Sequence, residues 1–576
     1  MNTTPADLAI EQNRFAALAI HPGVGMGIAT AAGTATVEAE DPAAVLTELV
    51  ALDSDRRPRW VWWDRSTADL LAEAGVSVSR CWDVLTVNRL LRGGWRTSIA
   101  EVWALLNDLD PETIPKMGQL DLLSQTGDDG GDQNHPVRPD GHLRPEWIDG
   151  GWCRSVDRLA DWASLALVSA DRQLELLDDR PDPGRAVSTA NAESAAELLA
   201  AELAFHGLPI DEPEAIRIIT EAAGPRPTNL AEEEAEQRRR DGEVLKHLDP
   251  PQSVNLRNPG DVKAMLGRTG LDLPDTRAWR LEKLRDTDPL IDALLVWRKA
   301  ERIATTYGFG WLDEHVSGGR LRGEWTGSDG AAGRMTASAG LHNLPAPMRP
   351  AVAAESGFSF VRADLGQIEP RVLAAVSGDQ ALIAATADDD LYQPVAKRLG
   401  VERDIAKVAV LGAMYGATTG ESAGALRGLQ QNYPVAMAHL EAAAEEGKRG
   451  RDIFTIGGRR VRMGGGSSPD GDIDRAIAAA ESRGRYARNA LIQGAAAEFF
   501  KVWAIIVKRR VTPLDGRVVL CLHDELLVHA PTEHAAAAAD QVAEAVTEAA
   551  FYWSPNPDVR FLADVGVIQR WSEAKD

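Results

Sequence analysis

Cysteine is scarce. The 576 residues include three, Cys81, Cys153 and Cys521, too few and too far apart for a disulfide framework or a zinc cluster. They read as reduced thiols of an intracellular protein. Long apolar runs are also missing near the N-terminus, where Phe15 to Ile20 is the longest. That length excludes a signal or membrane-spanning segment there, so a soluble, cytoplasmic protein with no membrane partner is expected. Cations are outnumbered, 62 Lys and Arg against 86 Asp and Glu, for a formal charge of −24. The total argues against a polyanionic partner. Fields nevertheless fall off within about 10 Å at ordinary salt, so local basic stretches count for more. No internal repeat is present.

What the chain does contain is strand-like and helix-like segments in alternation. "RPRWVWWD" (Arg57 to Asp64) reads as a buried strand and "STADLLAEAG" as the capped helix after it. Residues 1 to about 190 are therefore expected to form an α/β domain, closed by Pro181, Pro183 and Gly184. "NAESAAELLAAELAFHG" opens a helical region, and "EEEAEQRRRDGEVLKHL" reads as a charged helix or exposed linker. Beyond Arg334 strands, helices and Gly-rich turns alternate, and "GGGSSPDGD" (Gly464 to Asp472) is a flexible loop by composition.

Three segments carry possible chemistry. In "RVVLCLHDELLVHAP" (Arg517 to Pro531) two apolar strands flank His523, Asp524 and Glu525. Hairpin turns are usually filled by Gly, Asn or Asp. Here a plain polar turn and a carboxylate held rigidly for a hard cation are both open readings. Mg²⁺ needs only one or two protein carboxylates when a substrate phosphate supplies the rest. Upstream, a strand from Phe358 to Ala363 ends in Asp364, and a helix begins near Gln367. Carboxylates on two adjacent strand ends would suit a pair of cations about 3.5–4 Å apart, as in in-line phosphoryl displacement. Finally, Arg403, Lys407, Leu411 and Tyr415 recur every four residues, which keeps them on one slowly turning helix face. Such a stripe suits a ligand with a polyphosphate at one end and a flat base at the other. Standing alone, it reads more readily as solvated cations beside core residues.

Together and in this order the three segments resemble the family A DNA polymerases. The family's D-Y-S-Q-I-E-x-R appears as Asp364-Leu-Gly-Gln367-Ile-Glu369-Pro-Arg371, its R-x-x-x-K-x-x-x-F-x-x-x-Y-G as Arg403, Lys407, Leu411, Tyr415 and Gly416, and its H-D-E as His523 to Glu525. "GRMTASAGLHNLP" (with Arg334 and Asn343) resembles T-G-R-L-S-S-x-x-P-N-L-Q-N-I-P, one residue short. "RGRYARNALIQG" carries R-x-x-x-N-x-x-x-Q-G as Arg485, Asn489 and Gln493. "SVNLRNPGDV" and "WRKAERIATTY" resemble thumb-side segments. The resemblance spans about residues 195–576.

It implies a multidomain α+β and α/β protein: a right-hand polymerase, with an antiparallel palm sheet and helical fingers and thumb, preceded by an RNase H-like exonuclease-type α/β domain. The expected domains are 1–190 (degenerate 3′→5′ exonuclease-like), 191–333 (helical thumb), 334–378 (first part of the palm), 379–465 (fingers) and 466–576 (second part of the palm). No 5′ nuclease domain is expected within these residues. The implied activity is template-directed addition of deoxynucleotides to a primer 3′-OH with two Mg²⁺, Mn²⁺ being an expected substitute, in DNA repair or replication. Partners are primer–template DNA and dNTPs, and a nucleoid-associated monomer is expected.

Residue by residue, the resemblance assigns Asp364 and Asp524 to the metals, with the Leu365 carbonyl as an extra ligand and Glu525 as an auxiliary carboxylate. Lys407 would meet the α and γ phosphates and protonate the leaving group, and Arg403 would fork onto the γ phosphate. Gln367 joins the dNTP set, Tyr415 packs near the nascent pair, and Glu369 occupies the space of a ribose 2′-OH. Arg334, Arg371, Asn343, Arg485, Asn489, Gln493 and His523 match positions facing primer or template. Minor-groove contacts of this kind check pair geometry without reading sequence.

Two departures stand out. Leu411 replaces an aromatic that touches the incoming sugar in the family, so weak incorporation of dideoxynucleotides is expected. The family's D-I-H is Asp390-Leu391-Tyr392, and Tyr392 would offer a phosphate one hydrogen bond and no charge. In residues 1–190, an active exonuclease needs D-x-E on the first strand, yet no acid lies between Gln12 and Val37. Asp53-Ser54-Asp55 is the nearest alternative and is expected in a loop, and Ala166 stands where the last Asp would sit. A metal-free remnant without proofreading is expected. Two other readings are a dead polymerase fold that binds primer ends, disfavoured by joint retention of Asp364, Lys407 and Asp524, and a single-subunit RNA polymerase, disfavoured by Glu369 and Glu525.

Overall fold

The computed structural model describes residues 5, 8–38, 41–94, 97–116, 132–249, 253–416, 423–464 and 473–574. Most of the Gly464 to Asp472 loop, and with it the expected 465/466 boundary, lies outside the described residues. The chain divides into two compact units. One joins Met1–Phe205, Trp325–Thr336 and Val361–Val567; the other joins His206–Glu324, Ala337–Phe360 and Ile568–Asp576.

The larger unit begins with a five-stranded sheet. Its strands are β1 (Phe15–His21), β2 (Gly25–Thr30), β3 (Gly33–Glu38), β4 (Arg59–Trp62) and β5 (Cys81–Asp83), in the order β3-β2-β1-β4-β5. The first three are antiparallel, whereas β1, β4 and β5 run parallel. The parallel strands follow from helical crossovers: α1 (Pro42–Arg56) precedes β4, and α2 (Arg65–Glu73) links β4 to β5. Asp53 and Asp55 therefore sit in a helix, not in the expected loop. Asp53 is buried and accepts from the Trp60 indole and from Ser79. Helix α3 (Val156–Asp178) covers one face of the sheet. Its close approach requires Gly27 on β2, where a Cβ would fall 2.2 Å from the Ala160 nitrogen.

Helix α4 (Pro183–His206) runs straight through the boundary expected near 190 and belongs, up to Phe205, to the larger unit. A buried ionic cluster ties it to the rest of that unit. Glu193 accepts from Lys501 at 2.7 Å and pairs with Arg459 at 2.6 Å. Burial alone would raise the Glu193 carboxyl, but the two cations outweigh it and hold it low.

Further along the chain come strand β6 (Arg334–Ala337) and strand β7 (Phe358–Leu365), of which residues 334–336 and 361–365 belong to this unit, then helices α5 (Ile368–Ser377), α6 (Arg403–Tyr415) and α7 (Ile473–Val511). Strands β8 (Arg517–Leu522), β9 (Glu525–Pro531) and β10 (Ala563–Ile568) complete a four-stranded sheet of order β8-β9-β7-β10. Arg475–Leu514 is long and apolar enough to cross a membrane, but its most apolar stretch is 83 % buried inside the protein, as in a core helix.

The smaller unit is mainly helical. The charged segment forms the helix Leu230–Leu245, on which Val244 alone is buried. It packs with Pro289–Thr306 around Val244, Val262, Leu266, Leu290 and Leu294.

Candidate active site

The site is built on the four-stranded sheet. Successive residues of an extended strand point to opposite faces, so Arg362 and Asp364 of β7 share one. The β8–β9 hairpin turns in two residues, with Leu522 opposite Glu525 and His523 in left-handed backbone at φ 51°. Glycine usually fills such a position, though histidine tolerates it better than most residues. The Leu365 N–H donates to the Asp524 carbonyl at 2.8 Å. That bond fastens the end of β7 to the hairpin turn and sets Asp364 and Asp524 in neighbouring backbone positions.

Their carboxylates repel. Asp364 is pushed up to about 6, first by burial and then by Asp524. Asp524 is raised too, chiefly by burial. Arg362 is the cation among them, with Nη2 at 3.1 Å from Asp364, Nε at 2.9 Å from Glu525 and Nη1 at 3.3 Å from Asp564. Among the described residues no group of three or more His, Cys, Asp and Glu is placed as a closed metal site.

Helix α6 buries Ala406, Ala409, Val410, Ala413 and Met414. Lys407 and Tyr415 are consequently exposed, and Arg403 and Leu411 half-buried, along the opposite stripe. The stripe is not core. Arg403 donates through Nε to Asp390 at 2.5 Å. Asp390 also accepts from the Gln367 amide at 2.9 Å, while the Gln367 carbonyl accepts from the Leu391 N–H at 2.8 Å. Gln367 therefore acts first as a clamp on the turn before the helix Tyr392–Leu399. Tyr392 departs from expectation. It is only 4 % exposed, and its ring lies 5.7 Å from the Arg403 guanidinium carbon. A buried ring supporting Arg403 replaces the expected phosphate donor.

Glu369 uses both oxygens. One accepts from Arg334 at 3.0 Å and the other from the Tyr415 hydroxyl at 2.7 Å. Burial and then this bond push Tyr415 up to about 12, and Gln493 bonds it from α7. His523 is lowered by burial and by nearby Arg334. Gly416 ends α6 in left-handed backbone, and a Cβ there would fall 2.7 Å from the Arg485 side chain. Arg485, Asn489 and Gln493 recur every four residues on α7, the first exposed and the others half-buried.

Arg371 requires a correction, because it does not face DNA. It is 0 % exposed, and its five N–H groups reach the carbonyls of Gly366, Thr386, Arg560, Asp388 and Asp389. A guanidinium has five donors, so none is left for a phosphate. Asn343 lies in the smaller unit, exposed, with its carbonyl accepting from Arg302 and Tyr307. Arg362 and Asp564 were not anticipated, and Asp390 was noted only as the first residue of the D-I-H-like segment. The signal for Arg362 was its position two residues before Asp364 on a strand.

Comparison with known proteins decides the family. Residues 252–573 match DNA polymerase family A. The chain belongs to this family. It is 30 % identical over 390 residues to the thermostable DNA polymerase I of Thermus thermophilus, covering 60 % of this chain and 45 % of that protein. It is 32 % identical over 291 residues to DNA polymerase I of Chloroflexus aurantiacus, covering 45 % and 30 % respectively. The chain spans less than half the length of these curated relatives. Its fold is like that of the polymerase domain of Pol1 from M. smegmatis, solved with DNA primer–template and dNTP. The TM-score is 0.65 at 22 % identity, covering 97 % of this chain and 95 % of that one. The likeness of fold thus reaches the N-terminal sheet, which lies before the stretch matched to family A.

Proposed function

We propose that the chain is a template-directed DNA polymerase that adds dNTPs to a primer 3′-OH. The observation that carries this reading is the Leu365–Asp524 backbone bond, which joins two aspartates from distant segments in one carboxylate cluster. The residues fit divalent cations. Asp364 and Asp524 are partly buried, mutually repelling oxygen donors, and Glu525 stands beside them through Arg362. Two Mg²⁺ ions held by Asp364, Asp524 and the Leu365 carbonyl would acidify the primer hydroxyl and stabilise the charge on the triphosphate and leaving pyrophosphate; Mn²⁺ has the same ligand preference.

The protein's own groups then divide the work. Arg403 must exchange Asp390 for the γ phosphate. Exposed Lys407 lies one helical turn along the same face, placed to meet the α and γ phosphates and to hold the leaving-group proton. Glu369, fixed by Arg334 and Tyr415, blocks a 2′-hydroxyl and favours deoxynucleotides over ribonucleotides. Leu411 offers the sugar apolar contact without a ring face, which disfavours dideoxynucleotides. Arg334, Asn343, Arg485, Asn489, Gln493 and His523 are the proposed DNA contacts.

We further propose that the N-terminal sheet is a scaffold without proofreading. Ala17 and Ala19, two apart on β1, share one apolar cluster with Ala166 of α3 and with Trp63, Trp82 and Trp162. An exonuclease would need carboxylates there to hold its metals. A cytoplasmic, monomeric enzyme of repair or replication completes the proposal.

The test is extension of a primed template with dNTPs and Mg²⁺, for wild type and Asp524→Ala, with primer degradation followed on the same gel. The reading expects extension by wild type, loss of extension in the variant, and no Mg²⁺-dependent removal of a mismatched primer end. A folded wild type that extends no primer would refute polymerase activity. Mg²⁺-dependent mismatch removal that disappears when an acidic residue within residues 1–190 is replaced would refute the scaffold assignment.

A further inference from the structure

Arg362 sits where the metal chemistry is proposed, and nothing in that chemistry calls for it. Strand periodicity points it to the same face as Asp364. Its side chain is only 12 % exposed, and each of its three nitrogens pairs with a different carboxylate: Asp364, Glu525 and Asp564. These partners come from β7, β9 and β10, so the guanidinium staples three adjacent strands at the cluster's edge. Glu525 is nearly buried against it. A delocalised, permanently charged fork is the side chain best suited to hold several carboxylates at once.

We propose that Arg362 is a tethered internal counter-ion that weakens the hold of Asp364 and Asp524 on divalent cations and keeps Glu525 out of the metal's coordination. The inference rests on the polymerase reading above for the identity of the metal ligands. Two consequences follow from electrostatics. A cation approaching Asp364 meets a carboxylate already shared with a guanidinium and is repelled by the positive charge beside it. Glu525 and Asp564 anchor the other two nitrogens, so the guanidinium can release Asp364 without leaving the site. Arg362 is thus a positioning residue acting through the carboxylates. The protein alone should bind divalent cations weakly, and metal delivered with nucleotide phosphates should bind well, because the phosphates add ligands that Arg362 does not contest.

The experiment titrates Mn²⁺ into the full-length, nucleotide-free protein, following free Mn²⁺ by electron paramagnetic resonance. Wild type, Arg362→Gln and Arg362→Lys are compared, with Asp524→Ala as the site control and circular dichroism as the check on folding. Arg362→Gln should bind Mn²⁺ at least tenfold more tightly than wild type, and Asp524→Ala should abolish that gain. Arg362→Lys, which keeps the charge, should stay within about threefold of wild type. In primer extension the half-saturating Mg²⁺ concentration should fall for Arg362→Gln. Equal or weaker Mn²⁺ binding by a folded Arg362→Gln would overturn the proposal, as would a gain by Arg362→Lys equal to that of Arg362→Gln. Absence of extension by wild type, with the Mn²⁺ shift intact, would instead strike the polymerase reading and leave the counter-ion standing.

Discussion

The N-terminal sheet and the four-stranded sheet both place carboxylates at the ends of strands, and the two differ in what those carboxylates meet. Asp64, just beyond β4, caps α2 by accepting from the Ser66 N–H at 3.0 Å. Asp83, ending β5, accepts from the Trp62 indole at 3.1 Å and from the Thr86 N–H at 2.8 Å. Their lone pairs are spent on neutral donors of the fold. Asp364 instead has the Asp524 carboxylate as a repelling neighbour and shares one guanidinium with Glu525 and Asp564; Asp83 is repelled as well, by Glu197, but its oxygens are held by the fold's own donors. A buried carboxylate with neutral donors rigidifies structure, whereas repelling carboxylates in a half-open site are stabilised by an added cation. The same sequence signal, an acid after an apolar strand, therefore carries opposite meanings. Only the three-dimensional partners distinguish them.

Substitution should separate the two regions most sharply. Asp364→Asn keeps the shape and removes the charge, and should lower primer extension at least ~10³-fold, about 4 kcal/mol of transition-state stabilisation. Asp83→Asn should leave extension within about threefold, while lowering the midpoint of thermal unfolding through its bonds to Trp62 and Thr86. Equal losses of extension, measured at matched folded fractions, would erase the distinction. The next effect is on stability alone. Glu193→Gln removes the carboxylate that both Lys501 and Arg459 touch and leaves Glu498 as their neighbouring acid, which should cost about 3 kcal/mol in urea unfolding. A loss below about 1 kcal/mol would mean that the cluster is solvated in solution.

Several elements were legible in the sequence because each rests on a local rule. Trp60 and Trp62 are fully buried on a strand where the apolar run of residues 57–64 placed them. The four-residue spacing of Arg403 to Tyr415 put that stripe on the outward face of α6, and the packing of Ala406, Ala409 and Val410 explains why. What escaped depends on partners distant in sequence. Arg371 belongs to a motif that suggests DNA, yet its donors are consumed by carbonyls from two loops, Thr386 to Asp389 and Arg560. Tyr392 follows a polar turn, but its ring is buried beneath Arg403. A helix spans the position of the boundary expected near 190, because Pro183 and Gly184, read as punctuation, start a 24-residue helix, the first turn being where proline is tolerated.

A smaller effect sharpens the contrast, because it has the same sign in both regions and a different response to metal. Asp364 is raised to about 6 and Asp83 to about 7, each chiefly by burial. An acid raised in the folded state contributes stability below its unfolded value near 4, and that contribution is lost as pH rises through the folded value. With EDTA present, wild type should therefore lose stability between about pH 4 and pH 6 relative to Asp364→Asn. The loss should be about 1 kcal/mol, since the Asp364 side chain is 34 % exposed and partly screened. Wild type should likewise lose stability relative to Asp83→Asn, between about pH 4 and pH 7. Replacing EDTA with Mg²⁺, at a concentration high enough to saturate the weak nucleotide-free site, should then offset the Asp364 difference, because the cation restores what the proton supplied, and leave the Asp83 difference unchanged. Urea unfolding of the three proteins under the four conditions measures this directly. An Asp364 difference that ignores Mg²⁺ would mean that this carboxylate serves the fold alone, in the way that Asp83 does.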